Sequence, residues 1–385
     1  MRFHNLLVKM VQEDASDMFV TAKLPVSAKI NGELQPIDSE VLTADEAFSL
    51  VQDAMNEKQK KQFDEEKECN FAISIDGIGR FRVSAFWQRD MAGMVIRRIV
   101  TEIPSADELG LPSVLKDVVM SKRGLVLFVG GTGTGKSTSM AALIGYRNKN
   151  SRGHILTIED PVEFVHEHGK SMVTQREVGL DTESFDAALK SSLRQAPDVI
   201  LIGEIRSQEI MEHALSFAET GHLCLCTLHA NNANQALDRI LNFFPSERHD
   251  QLWLDLSLNL KGMVAQQLIP TPDGKGRVAA IEVMLNTPLV SDLIKKGDVT
   301  SLKPLMAKSN EVGMQTFDQA LFRLYKSKQI TYEDALNSAD SANDLRLMIK
   351  LDSEHDFMAE ADQGGLSMQQ DEDDSGNMMG GMKLR

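Results

Sequence analysis

Apolar and polar residues change their spacing twice along the chain, and each change marks a different kind of structure. LLVKMVQED places its apolar residues at helical spacing, whereas DMFVTAKLPVSAKINGELQPI is extended, with Asn31-Gly32 as a hairpin turn. Ala44 to about Asp64 reads as one helical stretch. Period-2 segments return in CNFAISIDGIGRFRVSAFWQRDMAGMVIRRI, broken at Gly77, Gly79 and Gly93. Together these predict an α+β sheet domain over residues 1–100.

Pro104 and Pro112 flank a polar segment that sets a linker at residues 101–112, and SVLKDVVMSK then reads as a helix. From Gly124 short apolar runs alternate with helical segments: GLVLFVGG, HILTIED, SMVTQREV, DVILIGEI and HLCLCTLH. That alternation predicts a largely parallel sheet with helices on its faces. After about residue 235 the pattern is predominantly helical, from QALDRILNFFP through the Leu-spaced WLDLSLNLKGMVAQQLI to near Leu351, so the second domain is assigned to residues 113–351. Residues 352–385 lack apolar periodicity and are expected to form a disordered acidic tail. The alternative is a docking tail presenting Met358, Met368, Met378, Met379 and Met382.

A length of 385 residues suits two domains better than one. The net charge of −15 disfavours a nucleic-acid partner, which needs a basic footprint. The tail alone supplies −7, leaving −8 on the body, so a local basic patch is compatible with the total. Three cysteines, with no C-x-x-C pair, build neither a disulfide framework nor a four-cysteine zinc site. Cys224 and Cys226 fall on one strand face and read as core. No apolar run is long enough to span a membrane, and MRFHNLLVKMVQEDASD has no signal-peptide pattern, so a cytoplasmic protein is expected.

The sharpest chemical signal is GGTGTGKS, which follows the apolar strand LVLFV and opens the helix STSMAALIGY. Gly130, Gly131, Thr132, Gly133, Thr134, Gly135, Lys136 and Ser137 fit G-x-x-x-x-G-K-[ST], a loop whose N–H groups wrap phosphates. Lys136 would place a cation on the β- and γ-phosphates of ATP, Ser137 a hydroxyl on Mg²⁺, and Thr138 would reach the α-phosphate. Such chemistry also needs carboxylates for the metal and the attacking water. DVILIGEIR ends its strand with Glu204, and LTIEDPVEF places Glu159, Asp160 and Glu163 at and beyond another strand end. The plainer reading is that such acids cap helices, and spacing leaves open which of Glu159 and Glu163 faces the water.

ETGHLCLCTLHANNAN carries His222 before an apolar strand and His229 at its far end. No third ligand accompanies them, so they read as hydrogen-bonded structural residues or as γ-phosphate sensors rather than metal ligands. Arg80, Arg82, Arg97 and Arg98 lie on strands of the first domain. They are either solvated strand faces or arginine fingers directed at a neighbouring subunit's nucleotide.

Taken in order, GGTGTGKST, LTIEDPVEF, PDVILIGEIR and ETGHLCLCTLHANNA resemble the Walker A, Asp box, Walker B and His box of secretion-superfamily ATPases. With ASDMFV, GRFRVSAFWQ and VTQREV, the chain from about residue 1 to 350 is similar to the PilT/PilU group of type IV pilus retraction ATPases. The resemblance implies a PAS-like N-terminal domain, a RecA-like ATPase domain, a homo-hexamer, and ATP and Mg²⁺ bound between the domains. It implies Glu163 as the catalytic glutamate, Glu204 as the Walker B acid, His222 and His229 as nucleotide sensors, and Arg82 and Arg97 as arginine fingers. The implied partners are the principal retraction ATPase and an inner-membrane platform protein at the pilus base. Two departures, Gly131 in place of the usual proline and LVSDLIKK from Leu289 in place of an AIRNLI-type helix, together with the acidic tail, point to an accessory paralogue. The alternatives are a regulatory subunit with little turnover, a secretion or extension ATPase, which commonly carries an added N-terminal domain and a four-cysteine insertion, and a RecA-like nucleic-acid motor.

Overall fold

The computed structural model describes residues 2–30, 32–75, 77–99 and 102–363, which build two sheets. The helix α1 (Arg2–Gln12) buries Phe3, Leu6, Leu7 and Met10, one stripe of a 3.6-residue period. It is followed by β1 (Asp17–Thr21), β2 (Pro25–Ile30), β3 (Glu33–Val41), α2 (Ala44–Asp53), α3 (Glu57–Glu66), β4 (Glu68–Ile75), β5 (Gly79–Gln88) and β6 (Met91–Ile99). The strands form an antiparallel sheet ordered β3-β2-β1-β6-β5-β4, and α1 to α3 contribute to the core on one of its faces. Ile30 pairs with Glu33 around Gly32, while Asn31 of the expected turn lies outside the described residues.

Two local expectations are corrected here. The single helix expected from Ala44 is two, because Asn56 and Gln59 exchange side-chain and backbone hydrogen bonds at 2.9 Å and start a new helix. The expected break at Gly93 lies instead at Arg89 and Asp90, whose φ values of +48° and +58° make the two-residue turn between β5 and β6. Gly93 sits inside β6, where a Cβ would meet the Phe86 ring at 3.2 Å.

Residues 102–112 contain no strand, and Ala106 and Leu111 are buried in a cluster with residues of α4 (Val114–Val119). Then come β7 (Gly124–Val129), α5 (Lys136–Asn150), β8 (Gly153–Glu159), β9 (Ser171–Glu177), α6 (Phe185–Ser192), β10 (Val199–Ile202), α7 (Gln208–Glu219), β11 (Leu223–Leu228), α8 (Ala233–Leu241) and α9 (His249–Asn259). The strands β9, β8, β10, β11 and β7 pair in parallel and are mostly buried, as the unbroken apolar runs require. Leu125, Leu127 and Val129 of β7 face a core with α6, α7 and α8, while Val126 and Phe128 face the core that holds α5.

The segment read as helical from Trp253 to Ile269 changes state part-way. After α9 comes β12 (Leu260–Pro270), parallel to β7, and β13 (Arg277–Leu285) pairs with it antiparallel. A short apolar run fits either period, and the edge of β7 decides for the strand. Gly262 allows it: a Cβ there would lie 2.8 Å from the Met284 carbonyl oxygen. The sheet order is β13-β12-β7-β11-β10-β8-β9. Glu282 of β13 is fully buried and accepts the Ala233 N–H at 2.8 Å, at the start of α8.

The remaining helices are α10 (Pro288–Lys295), α11 (Leu302–Ala307), α12 (Phe317–Lys326), α13 (Tyr332–Ser338) and α14 (Ala342–Gln363). The last runs beyond Leu351, where the acidic tail was expected to begin, and residues 364–385 lie outside the described residues. Among the described residues no helix is long and apolar enough to cross a membrane.

Candidate functional site

The carboxyl ends of β7, β8, β10 and β11 finish side by side, and the loops that leave them enclose a cavity of about 320 Å³. Gly130 to Gly135 carry the chain from β7 into α5. At Gly130 an added Cβ would lie 2.5 Å from Thr134 Oγ1 and 2.7 Å from the Gln266 carbonyl oxygen. At Gly135, with φ +86°, it would lie 2.7 Å from Gln266 Nε2. Thr134 donates to the Gly131 carbonyl at 3.0 Å. No side chain caps the amino end of α5, so its first N–H groups have no side-chain acceptor there.

Thr132, Gly133, Lys136 and Ser137 line the cavity opposite Glu163, Glu204 and His229. Lys136 is buried and donates to the carbonyls of Gly130 at 2.9 Å and Gly131 at 2.7 Å. Burial pushes its ammonium below the usual lysine range, opposed by the charges of Glu204 and Glu163. Glu204 follows β10 through Gly203, whose carbonyl accepts the Thr227 hydroxyl at 2.5 Å. Its carboxylate receives Arg206 Nε at 2.7 Å and lies 3.1 Å from His229 Nε2, while His229 Nδ1 is 3.2 Å from the Gly130 carbonyl. His229 thus joins the phosphate loop to the end of β10. Arg206 also reaches Asp160 at 3.3 Å.

Glu159 and Glu163, which spacing left open, both line the cavity and differ in how they are held. Glu159 accepts Thr157 Oγ1 at 2.6 Å and Gln175 Nε2 at 3.3 Å. Burial raises its carboxyl above the usual range, those hydrogen bonds oppose the rise, and the Glu163 charge adds to it. Glu163 is exposed and borders the cavity.

Other expected residues stay apart within this chain. His222 sits at the amino end of β11, away from the phosphate loop, with Nδ1 3.2 Å from the Phe217 carbonyl and its ring edge-on to Phe217. Arg82 and Arg97 are cross-strand partners on β5 and β6 and do not line the cavity. Arg97 pairs with Asp17 at 2.7 Å. Thr138 is half-buried in the first turn of α5, outside the lining. No local pattern marks Gln266, which accepts the Ser139 hydroxyl at 2.8 Å, or His166, which lines the cavity and whose imidazole burial lowers to about 4.

Ser137 and Glu204 offer oxygen donors to one cavity, a donor set suited to Mg²⁺. Among the described residues no group of three or more His, Cys, Asp or Glu could hold a metal by itself.

Residues 2–286 match the model of the family described as Type II/IV secretion system protein. The chain belongs to that family. Within it the chain is of the PilT/PilU type. It is 65% identical over 356 residues to the type IV pilus ATPase PilU of Pseudomonas aeruginosa, covering 92% of this chain and 93% of that protein. To the type IV pilus retraction ATPase PilT of the same organism it is 42% identical over 334 residues, 87% of this chain and 97% of the relative. A crystal structure of the pilus retraction motor PilT with bound ADP superposes with a TM-score of 0.83 at 37% identity, covering 89% of this chain and 98% of that one. The mixed α/β architecture with two sheets is shared with that PilT structure.

Proposed function

We propose that this protein hydrolyses ATP in a Mg²⁺-dependent reaction within a hexameric ring and assists retraction of type IV pili from the cytoplasmic face of the inner membrane. The observation that carries the reading is the convergence of Lys136, Ser137, Glu163, Glu204 and His229 on one cavity at the carboxyl ends of parallel strands. The identities to PilU and PilT supply the pilus context. The principal retraction ATPase and an inner-membrane platform protein are the proposed partners.

In this reading the loop from Gly130 to Thr138 and the amino end of α5 hold the phosphates, with Lys136 exchanging its two carbonyl partners for phosphate oxygens. Ser137 and, through water, Glu204 would hold Mg²⁺, which would supply positive charge against the phosphates. Glu163 orients and deprotonates the attacking water. His229, between Gly130 and Glu204, senses with His222 whether the γ-position is filled, and Arg82 and Arg97 act as arginine fingers at a neighbouring subunit's nucleotide.

The test is steady-state hydrolysis by the purified full chain and by its Glu163→Gln and Lys136→Ala variants, with and without the principal motor. Both variants are expected to lose orders of magnitude in kcat. A wild type without turnover in either setting would favour a regulatory subunit instead.

A further inference from the structure

The loop that carries Glu163 is anchored by a carboxylate at a neighbouring strand end, and that carboxylate reaches the other sheet. Glu159 and Glu177 are register partners at the ends of β8 and β9. The Glu177 carboxylate anchors the loop that follows β8: its Oε2 accepts the Val162 backbone N–H at 3.2 Å, one residue before Glu163. The donor directly follows Pro161 and Val162 itself is buried, so this bond pins the loop at the residue before Glu163 and constrains the direction in which the Glu163 side chain leaves it. Glu177 is 3% exposed. A carboxylate so buried needs a cation, and the one beside it is Arg80 of β5, whose terminal nitrogen lies 3.9 Å from the same Oε2. Arg80 Nε is buried without a hydrogen-bond partner, so within this chain the guanidinium has little else to hold it.

We propose that Arg80 and Glu177 are positioning residues that transmit the placement of the N-terminal sheet to Glu163. Displacing β5 relative to β9 withdraws the cation from Glu177, loosens its bond to the Val162 N–H and lets the loop turn Glu163 out of line with the nucleotide. The contact requires no nucleotide partner of its own, so it can change hydrolysis while leaving nucleotide binding in place. This rests on the role given to Glu163 above.

Two measurements on the full chain decide it. The first is hydrogen–deuterium exchange of the segment 160–166 in wild type, Arg80→Ala, Arg80→Lys and Glu177→Gln. Faster exchange at Val162 and Glu163 in Arg80→Ala and Glu177→Gln, partly restored in Arg80→Lys, is expected whether or not the protein turns over ATP. Unchanged exchange overturns the proposal. The second is kinetic: Arg80→Ala and Glu177→Gln are expected to lower kcat by roughly 10- to 100-fold with KM for ATP within about twofold of wild type. The same substitutions added to Glu163→Gln should cause no further loss. An equal further loss in that background, or a rise in KM with kcat unchanged, would show a general structural role and sink the coupling. If Glu163→Gln itself hydrolyses at the wild-type rate, the reading of the site fails, while the exchange result still tests the clamp.

Discussion

Gln266 accepts the buried Ser139 hydroxyl at 2.8 Å, tying β12 to the first turns of the helix that follows the phosphate loop. The same glutamine packs its backbone carbonyl against Gly130 and its amide against Gly135, so one residue of an adjacent strand shapes both ends of the loop. Gln266→Leu leaves the Ser139 hydroxyl buried and unpaired, at a cost of about 1–3 kcal/mol. Denaturant unfolding should show that loss, and titration with a fluorescent nucleotide should show weaker binding.

Gly135→Ala puts a methyl group 2.7 Å from Gln266 Nε2 at a backbone φ of +86°. Nucleotide affinity is expected to fall by about tenfold or more with the secondary structure intact, as read by the same titration and by circular dichroism. Gly133→Ala, which has a comparable φ but open space around its Cβ, should cost less.

Glu282 gives the stability a defined pH dependence. Burial raises its carboxyl to about 7, against a bond from the Ala233 N–H, with Asp340 adding to the rise and Lys303, Asp340's partner at 2.5 Å, opposing it. Below its unfolded value of 4.5 both states hold the proton and the favourable contribution is complete. It is lost as pH rises through about 7, because the folded state must then ionise a buried group. Urea midpoints of Glu282→Gln should therefore vary less than wild type between about pH 5 and about pH 8, and exceed wild type at the upper end.

Arg82 and Arg97 do not line the cavity of their own chain, so their proposed role requires a neighbouring subunit. Mixing inactive Arg82→Ala chains with inactive Lys136→Ala chains should restore part of the ATPase rate, since some interfaces then pair an intact phosphate loop with an intact arginine. No recovery on mixing would place Arg82 outside the reaction.

The parts of the fold legible in the sequence are those whose signal is local. The phosphate loop and the five strands from β7 to β11 each carry their own pattern within a few residues. The strand β12 was not legible, because Leu260 to Ile269 suits a helix or a strand equally until β7 supplies an edge to pair with. The turn at Arg89 and Asp90 was hidden for a related reason: neither is a glycine, and strand register forces both into positive φ. Gln266, Glu177 and Glu282 read as ordinary polar residues in strands. Each gains its place from a partner at least fifteen positions away, which periodicity cannot report.

All six residues of β11 are buried, with His222 just before the strand and His229 just after it. Its register with β7 runs unbroken from Leu223 against Gly124 to Leu228 against Val129. Adding or deleting one residue would therefore exchange the inward faces of the strand and shift one histidine by about 3.3 Å along it. Apolar exchanges of similar volume within β11 should be tolerated, whereas its length is fixed by the span it must cover.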